Sequence, residues 1–330
     1  MRHTPASQSG IRSNVSLTPS RRWLHRGLLS LTMAVGAAGC GPMDGPEEAP
    51  ETLGVQQSEQ QSDNGLSTNG LSTNGLSTNG LSTNGLSTNG LSTNGLSTNG
   101  FSTWFNQDTA NSAAVMEYVV RCAVPAGQTR TFTNPATGTT YTWAGSLGLA
   151  PGWASGQVAT QAEQEVVSAC LAAHANKFGI HVSISVLGRS AQGTAIPYTS
   201  SELTTYGERE ACFFGNLFDN TGSYVATDHA PLASTQSSSR ACGLTWSAST
   251  TNCSPIVHVG SCSSYCTRAY VNGDAQPYYA ECSYNGKVYR PVTTRIRSQD
   301  IHTCGDGVCQ VSESRGTGTT YNSCFADCGA

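Results

Sequence analysis

Lysine is almost missing from this sequence: Lys177 and Lys287 are the only two in 330 residues, and charged residues of all kinds make up 12%. No apolar run reaches the roughly 20 residues that a membrane-spanning helix needs. There is no His-Glu-x-x-His pair, no Gly-x-Ser-x-Gly elbow and no glycine-rich loop ending in Lys-Ser/Thr. Those absences remove the motif-borne forms of zinc peptidase, serine hydrolase and nucleoside triphosphatase chemistry. Cysteine is absent from residues 1–39 and again from 41–121. Cys40 therefore stands alone, and the other twelve of thirteen cysteines begin at Cys122.

The residues before Cys40 carry Arg2, Arg12, Arg21, Arg22 and Arg26 and no acid, followed by a short apolar segment from Gly27 to Gly39. That layout is expected of a signal peptide spanning residues 1–39. The run Leu31-Thr-Met-Ala-Val-Gly-Ala-Ala-Gly-Cys40 looks like a bacterial lipobox. The resemblance implies cleavage before Cys40 and acylation of its thiol, and several acyl chains give durable anchoring. Ser20-Arg21-Arg22-Trp23-Leu24 also resembles a twin-arginine export signal, so ordinary secretion and twin-arginine export both remain open. Six disulfides are hard to complete in a reducing cytoplasm, which favours ordinary secretion. Without residues 1–39, twelve bases face twenty-one acids, a net of −9. A chain this acidic gains nothing from neutralising phosphates, so nucleic acid is not an expected partner.

Residues 40–63 hold Pro42, Pro46, Pro50 and six acids with almost nothing apolar, and are expected to be a disordered acidic linker. From Asn64 the unit Asn-Gly-Leu-Ser-Thr occurs seven times, then once as Asn99-Gly-Phe-Ser-Thr103. A period of five with one apolar residue resembles the pentapeptide-repeat solenoids, which wind four such units per coil. Eight units make about two coils, short of the roughly three stacked units such architectures need. Glycine also stands before leucine here, where that family has Asp or Asn. The recurring Asn-Gly turns favour a flexible spacer over residues 64–103, about 35 Å in root-mean-square span.

Residues 104–300 are expected to form a disulfide-stapled α+β domain, with early helices and later β-hairpins. Ala113, Val115, Met116, Val119 and Val120 make a helical stripe over Thr109–Cys122, and Gln161–Phe178 is the strongest helical pattern. Cys122 and Cys170 fall on these two segments and are expected to bridge. Gln128–Phe132 and Thr139–Trp143 flank the turn residues Asn134-Pro-Ala-Thr-Gly138 as a hairpin, and His181–Leu187 alternates as a strand. Ala211–Phe218 suits either a buried strand or a helical turn. Beyond Asp219 the chain reads as loop-rich, except for strands Tyr278–Tyr284 and Lys287–Val292 around Asn285-Gly286. Trp143, Trp153 and Trp246 are expected to fill the core. Disulfide partners are drawn from Cys122, Cys170, Cys212, Cys242, Cys253, Cys262, Cys266, Cys282, Cys304, Cys309, Cys324 and Cys328.

Residues 301–330 read as a separate cysteine-rich module. Cys304-Gly-Asp-Gly-Val-Cys309, Glu313 and Cys324-Phe-Ala-Asp327-Cys328-Gly329 resemble the short CGDGxC…E…CxxDCG modules of bacterial surface proteins and, more loosely, the calcium-binding Notch repeat. The latter has six cysteines and more acids. Four cysteines allow three pairings, and sequence does not choose among them. Gly305 and Gly307 permit a tight loop, and Asp306, Glu313 and Asp327 supply hard oxygen ligands suited to Ca²⁺. The alternative is a disulfide knot with solvated acids.

Catalytic chemistry has few candidates. Glu202, Glu208, Glu210, Asp228 and His229 lie within thirty residues of one another. Of these, Glu208, Glu210, Asp228 and His229 are the candidates for acid–base work on a glycan or peptidoglycan. Glu208 and Glu210 would share one face of a strand, with Arg209 turned away. Asp228 and His229 with Ser190 would be needed for a triad. His174 and His181 are expected at a helix end or on the surface. Lipobox, spacer, disulfide-rich body and terminal module together resemble surface lipoproteins of myxobacteria, which implies a location and no particular activity. The expectation is thus an exported protein, lipid-anchored to the outer membrane or cell surface. Its expected role is adhesion, recognition or envelope interaction with a protein or glycan partner. A hydrolase of envelope polymers is the alternative, and a delivered lipoprotein toxin is third.

Overall fold

The computed structural model describes residues 61–64, 66–67, 96 and 99–330, except 179, 220, 241, 245–252 and 254. All belong to the compact unit Gln56–Ala330. Cys40 and the expected signal peptide, most of the repeat and Trp246 lie outside the described residues.

Four helices precede most of the sheet. Helix α1 (Asn99–Gln107) buries Phe101, Trp104 and Phe105, and α2 (Thr109–Ala123) begins where the Asp108 side chain accepts the Asn111 amide. Strands β3 (Thr129–Thr133) and β4 (Thr140–Ala144) form the expected hairpin, whose Phe132 and Tyr141 rings meet Phe105 edge-on at 4.9 Å. A one-turn α3 (Pro151–Ala154) buries Trp153. Helix α4 (Gln161–His174) starts from a capping box in which Thr160 and Glu163 satisfy each other's backbone amides. It stops four residues before the expected end, because Ala175–Asn176 (β5) leaves the helix as extended chain. Cys122 and Cys170 join α2 to α4, as their helical stripes imply.

The central sheet runs in the order β1 (Gln61–Asn64), β6 (Val182–Gly188), β14 (Val292–Ile296), β7 (Glu208–Asn216), β8 (Gly222–Thr227), β10 (Ile256–Ser261). Every neighbouring pair is antiparallel except β8 and β10. β7 is buried from Glu210 onward, and its apolar stretch Ala211–Phe214 shows no alternation because both its faces are covered. Ala211 and Phe213 face the helices, while Cys212 and Phe214 face a second sheet. That second sheet is β11 (Cys266–Val271), β12 (Asp274–Tyr284) and β13 (Lys287–Tyr289), with Asn285 and Gly286 at positive φ in its tight turn. The molecule is therefore α+β, in three layers: helices, six-stranded sheet, three-stranded sheet.

Other expectations about extents change as well. Gln61–Asn64, expected in the disordered linker of residues 40–63, pairs with β6, whose outer edge offers unsatisfied backbone groups. Leu66–Ser67 (β2), inside the expected spacer of residues 64–103, pairs in parallel with β5. The last repeat, Asn99–Thr103, is helix, because Phe101 replaces the usual leucine and joins the aromatic cluster of Trp104 and Phe105. Beyond Asp219 the chain is richer in strands than expected, supplying β8, β10 and β11. A short helix α5 (Ser200–Thr205) leads into β7, β9 (Gln236–Ser237) pairs with β15 (His302–Thr303), and α6 (Cys262–Tyr265) leads into β11.

Candidate functional site

Glu210 does not face solvent. The register slips between Thr294 and Arg295, so Glu210 sits opposite no residue of β14, the signature of a β-bulge. Its carboxylate takes both Nε and NH2 of Arg240, at 2.9 and 2.8 Å, and both side chains are essentially fully buried. Arg240 also donates to the carbonyls of Ala173 and Ala175, so the pair ties the C-terminal end of α4 to β7. Glu202, in the first turn of α5, is fully buried as well.

At the mouths of β7 and β8 the remaining candidates form two neighbouring groups. Asp228 accepts the Tyr279 hydroxyl at 2.6 Å and lies 3.7 Å from Arg209 and 3.6 Å from Arg268. Arg268 stacks over the Tyr279 ring at 4.0 Å and donates to its hydroxyl. Burial first, and then the Asp228 carboxylate, push the Tyr279 hydroxyl far above its ordinary pKa, so it stays a donor. Glu208 accepts from Ser298 and meets His229 Nε2 at 3.3 Å. Glu208 and Glu210 therefore take separate partners and do not act as a carboxylate pair. Ser190 Oγ accepts the Thr194 amide in its own turn, and no hydrogen bond among the described residues joins it to Asp228 or His229. His181 is exposed and His174 is the last residue of α4, both as expected, and His174 is fully buried against the Cys122–Cys170 bridge. Burial there holds the His174 imidazole down to about 3.

The terminal module pairs Cys304 with Cys324 and Cys309 with Cys328. It is fastened to the body by β9 and β15, and by Ser312 between Ser237 and His302. Its own structure is a two-residue ladder, β16 (Thr319–Thr320) with β17 (Ser323–Cys324), and a final turn α7 (Phe325–Cys328). Gly305 and Gly307 adopt positive φ, and both their amides donate to the Asp327 carboxylate. Asp306 accepts from the Val308 amide and from Gln310 Nε2 at 2.7 Å. These contacts hold Asp306 below the usual carboxylate range.

Glu313 differs from the other two acids. It is 8% exposed, its Oε2 accepts the Gln310 amide, and burial followed by the charges of Asp327 and Asp306 raises its pKa. Its Oε1 is buried without a donor, and so is Gln310 Oε1, whose amide is oriented by Asp306. These two buried acceptors without donors are of the hard oxygen type that suits Ca²⁺, although the carboxylates of Asp306, Glu313 and Asp327 do not form a close cluster among the described residues.

Sequence reasoning missed Arg240, Tyr279, Arg268 and Gln310. Only Tyr279 carried any signal, as one position of an alternating strand.

Among known protein families, the model described as GLTT repeat (6 copies) matches residues 63–87 and 85–104. No curated protein matches the chain. No solved structure matches it either.

Proposed function

We propose that this chain is exported, lipid-anchored to the cell envelope through Cys40, and works there by binding a protein or glycan rather than by catalysis. The tether between anchor and head is the stretch 41–60, because Gln61–Asn64, ahead of the repeat, already pairs in the central sheet. Six bridges among the twelve later cysteines support an oxidising destination, where such bonds persist. One observation carries the non-enzymatic half: Glu208, Glu210 and Asp228 each accept from donors of the fold itself, Asp228 through Oδ1 with Oδ2 buried and unpaired. Glycoside hydrolysis needs two free carboxyl groups roughly 5–9.5 Å apart across a substrate. Here Glu210 is sealed against Arg240, and Asp228 is held by Tyr279 and two guanidinium groups. A delivered toxin draws no support from any of these contacts.

The test combines chemistry and location. Mature protein from the membrane fraction should begin at an acylated Cys40. Glu208→Gln should leave any turnover of purified peptidoglycan at the level of a buffer blank, as the parent chain does. Turnover by the parent that Glu208→Gln abolishes would establish the hydrolase instead.

Calcium is the second ligand this structure favours, on the strength of the donor-less oxygens of Gln310 and Glu313. Gln310 and Glu313 would hold the ion, while Asp306 and Asp327 shape the loop and add negative charge. Millimolar Ca²⁺ should raise the melting temperature of the full chain, EDTA should reverse the rise, and Glu313→Gln should remove it. Identical melting with and without Ca²⁺ would leave the module a plain disulfide knot.

A further inference from the structure

Two of the six bridges touch. Cys212 on β7 is bonded to Cys262, the first residue of α6, and Cys266, one helical turn later, is bonded to Cys282. The Sγ atoms of Cys212 and Cys266 are 3.4 Å apart, although no bond joins them. Cys282 Sγ belongs to the same group, all three sulfurs lying within 4.8 Å of one another. The other groupings of this kind place a single bridge beside a histidine or an aspartate. Cys212, Cys262 and Cys282 are fully buried, whereas Cys266 is partly exposed.

We propose that these four cysteines form a thiol–disulfide exchange site that accepts two electrons from a small dithiol and rearranges its own pairing. A thiolate of the dithiol attacks Cys266 Sγ, the partly exposed member, and expels Cys282 as thiolate. The second thiol of the reductant then resolves the mixed disulfide, leaving as a cyclic disulfide and releasing Cys266 as thiolate. That thiolate stands in contact with Cys212 Sγ. Its attack forms Cys212–Cys266, breaks Cys212–Cys262 and expels Cys262, and Cys262 and Cys282 each take up a proton.

Topology makes the exchange cheap. Cys266 and Cys282 face each other directly in the β11–β12 ladder, which remains paired when their bridge opens. Cys212 ties the central sheet to the start of β11 whether its partner is Cys262 or Cys266, four residues apart on the same junction. Both pairings hold the two sheets together.

The experiment uses the full chain and dithiothreitol as the reductant. Brief exposure, quenching with iodoacetamide and non-reducing peptide mapping should find Cys262 and Cys282 alkylated, with a Cys212–Cys266 cross-link. Alkylation of Cys266 and Cys282 together, with Cys212–Cys262 intact, overturns the proposal. So does loss of all six bridges at one rate. Cys282→Ser gives a reductant-free check. Its unpaired Cys266 should produce a mixture in which Cys212–Cys266 and alkylated Cys262 both appear, whereas only Cys212–Cys262 with alkylated Cys266 contradicts the exchange.

Discussion

Glu210 and Glu208 are two residues apart in sequence and belong to different physical problems. Glu210 is a buried charge, tolerable only because Arg240 meets it with two parallel hydrogen bonds. Removing one partner leaves the other charge uncompensated, so Arg240→Met or Glu210→Gln should lower unfolding free energy by about 3–5 kcal/mol in urea titration. Glu208→Gln, at a partly exposed pair with His229, should change it by less than about 1 kcal/mol. His174 supplies a pH dependence. Its folded pKa of about 3 lies below the unfolded 6.5, so the unfolded chain takes up the proton first. Its contribution to stability is complete above pH 6.5 and falls by about 1.4 kcal/mol per unit as pH drops toward 3. In His174→Phe the stability-versus-pH curve should be flatter by one proton over that window, and an unchanged slope would assign the acid sensitivity elsewhere.

At the scale of elements, periodic patterns were legible and chain-end behaviour was not. The stripes of α2 and α4, the β3–β4 hairpin and the Asn285-Gly286 turn could be read because each buries one consistent face or needs a particular backbone conformation. β7 stayed ambiguous in sequence because both its faces are covered, which erases the alternation that marks a half-buried strand. The bulge at Glu210 left no mark, since it arises from pairing with β14, eighty residues later. The start of the fold was placed too late because Gln61–Asn64 and Leu66–Ser67 carry no strand pattern of their own, and because Phe101 sits inside a repeat, where a single substitution looks like drift. Phe101→Ala should cost about 3–5 kcal/mol, as expected for a buried aromatic in a packed cluster. Deleting residues 74–88, three copies of the repeat, should shift stability by only about 0.5 kcal/mol if the segment is spacer. A loss as large as that of Phe101→Ala would mean that the repeat is part of the folded body.

For the whole molecule, address and architecture are bound together by the cysteines. Their even number beyond residue 121 was visible in sequence, and the Cys122–Cys170 pair followed from helical faces, but the pairing of the rest depends on contacts between distant strands. The candidate site was less legible still. Acids could be named, yet Arg240, Arg268 and Tyr279, which meet them, lie thirty or more residues away without any motif. What remains of the sequence's functional signal is concentrated at the two ends: a cysteine in a lipobox-like run at one, an acceptor-rich module at the other. The most direct test is mass spectrometry of the mature chain recovered from membranes under non-reducing conditions. The account predicts an N-terminus at acylated Cys40 and twelve cysteines paired with no free thiol. An N-terminus elsewhere, an unmodified Cys40, or free thiols among the twelve would contradict it.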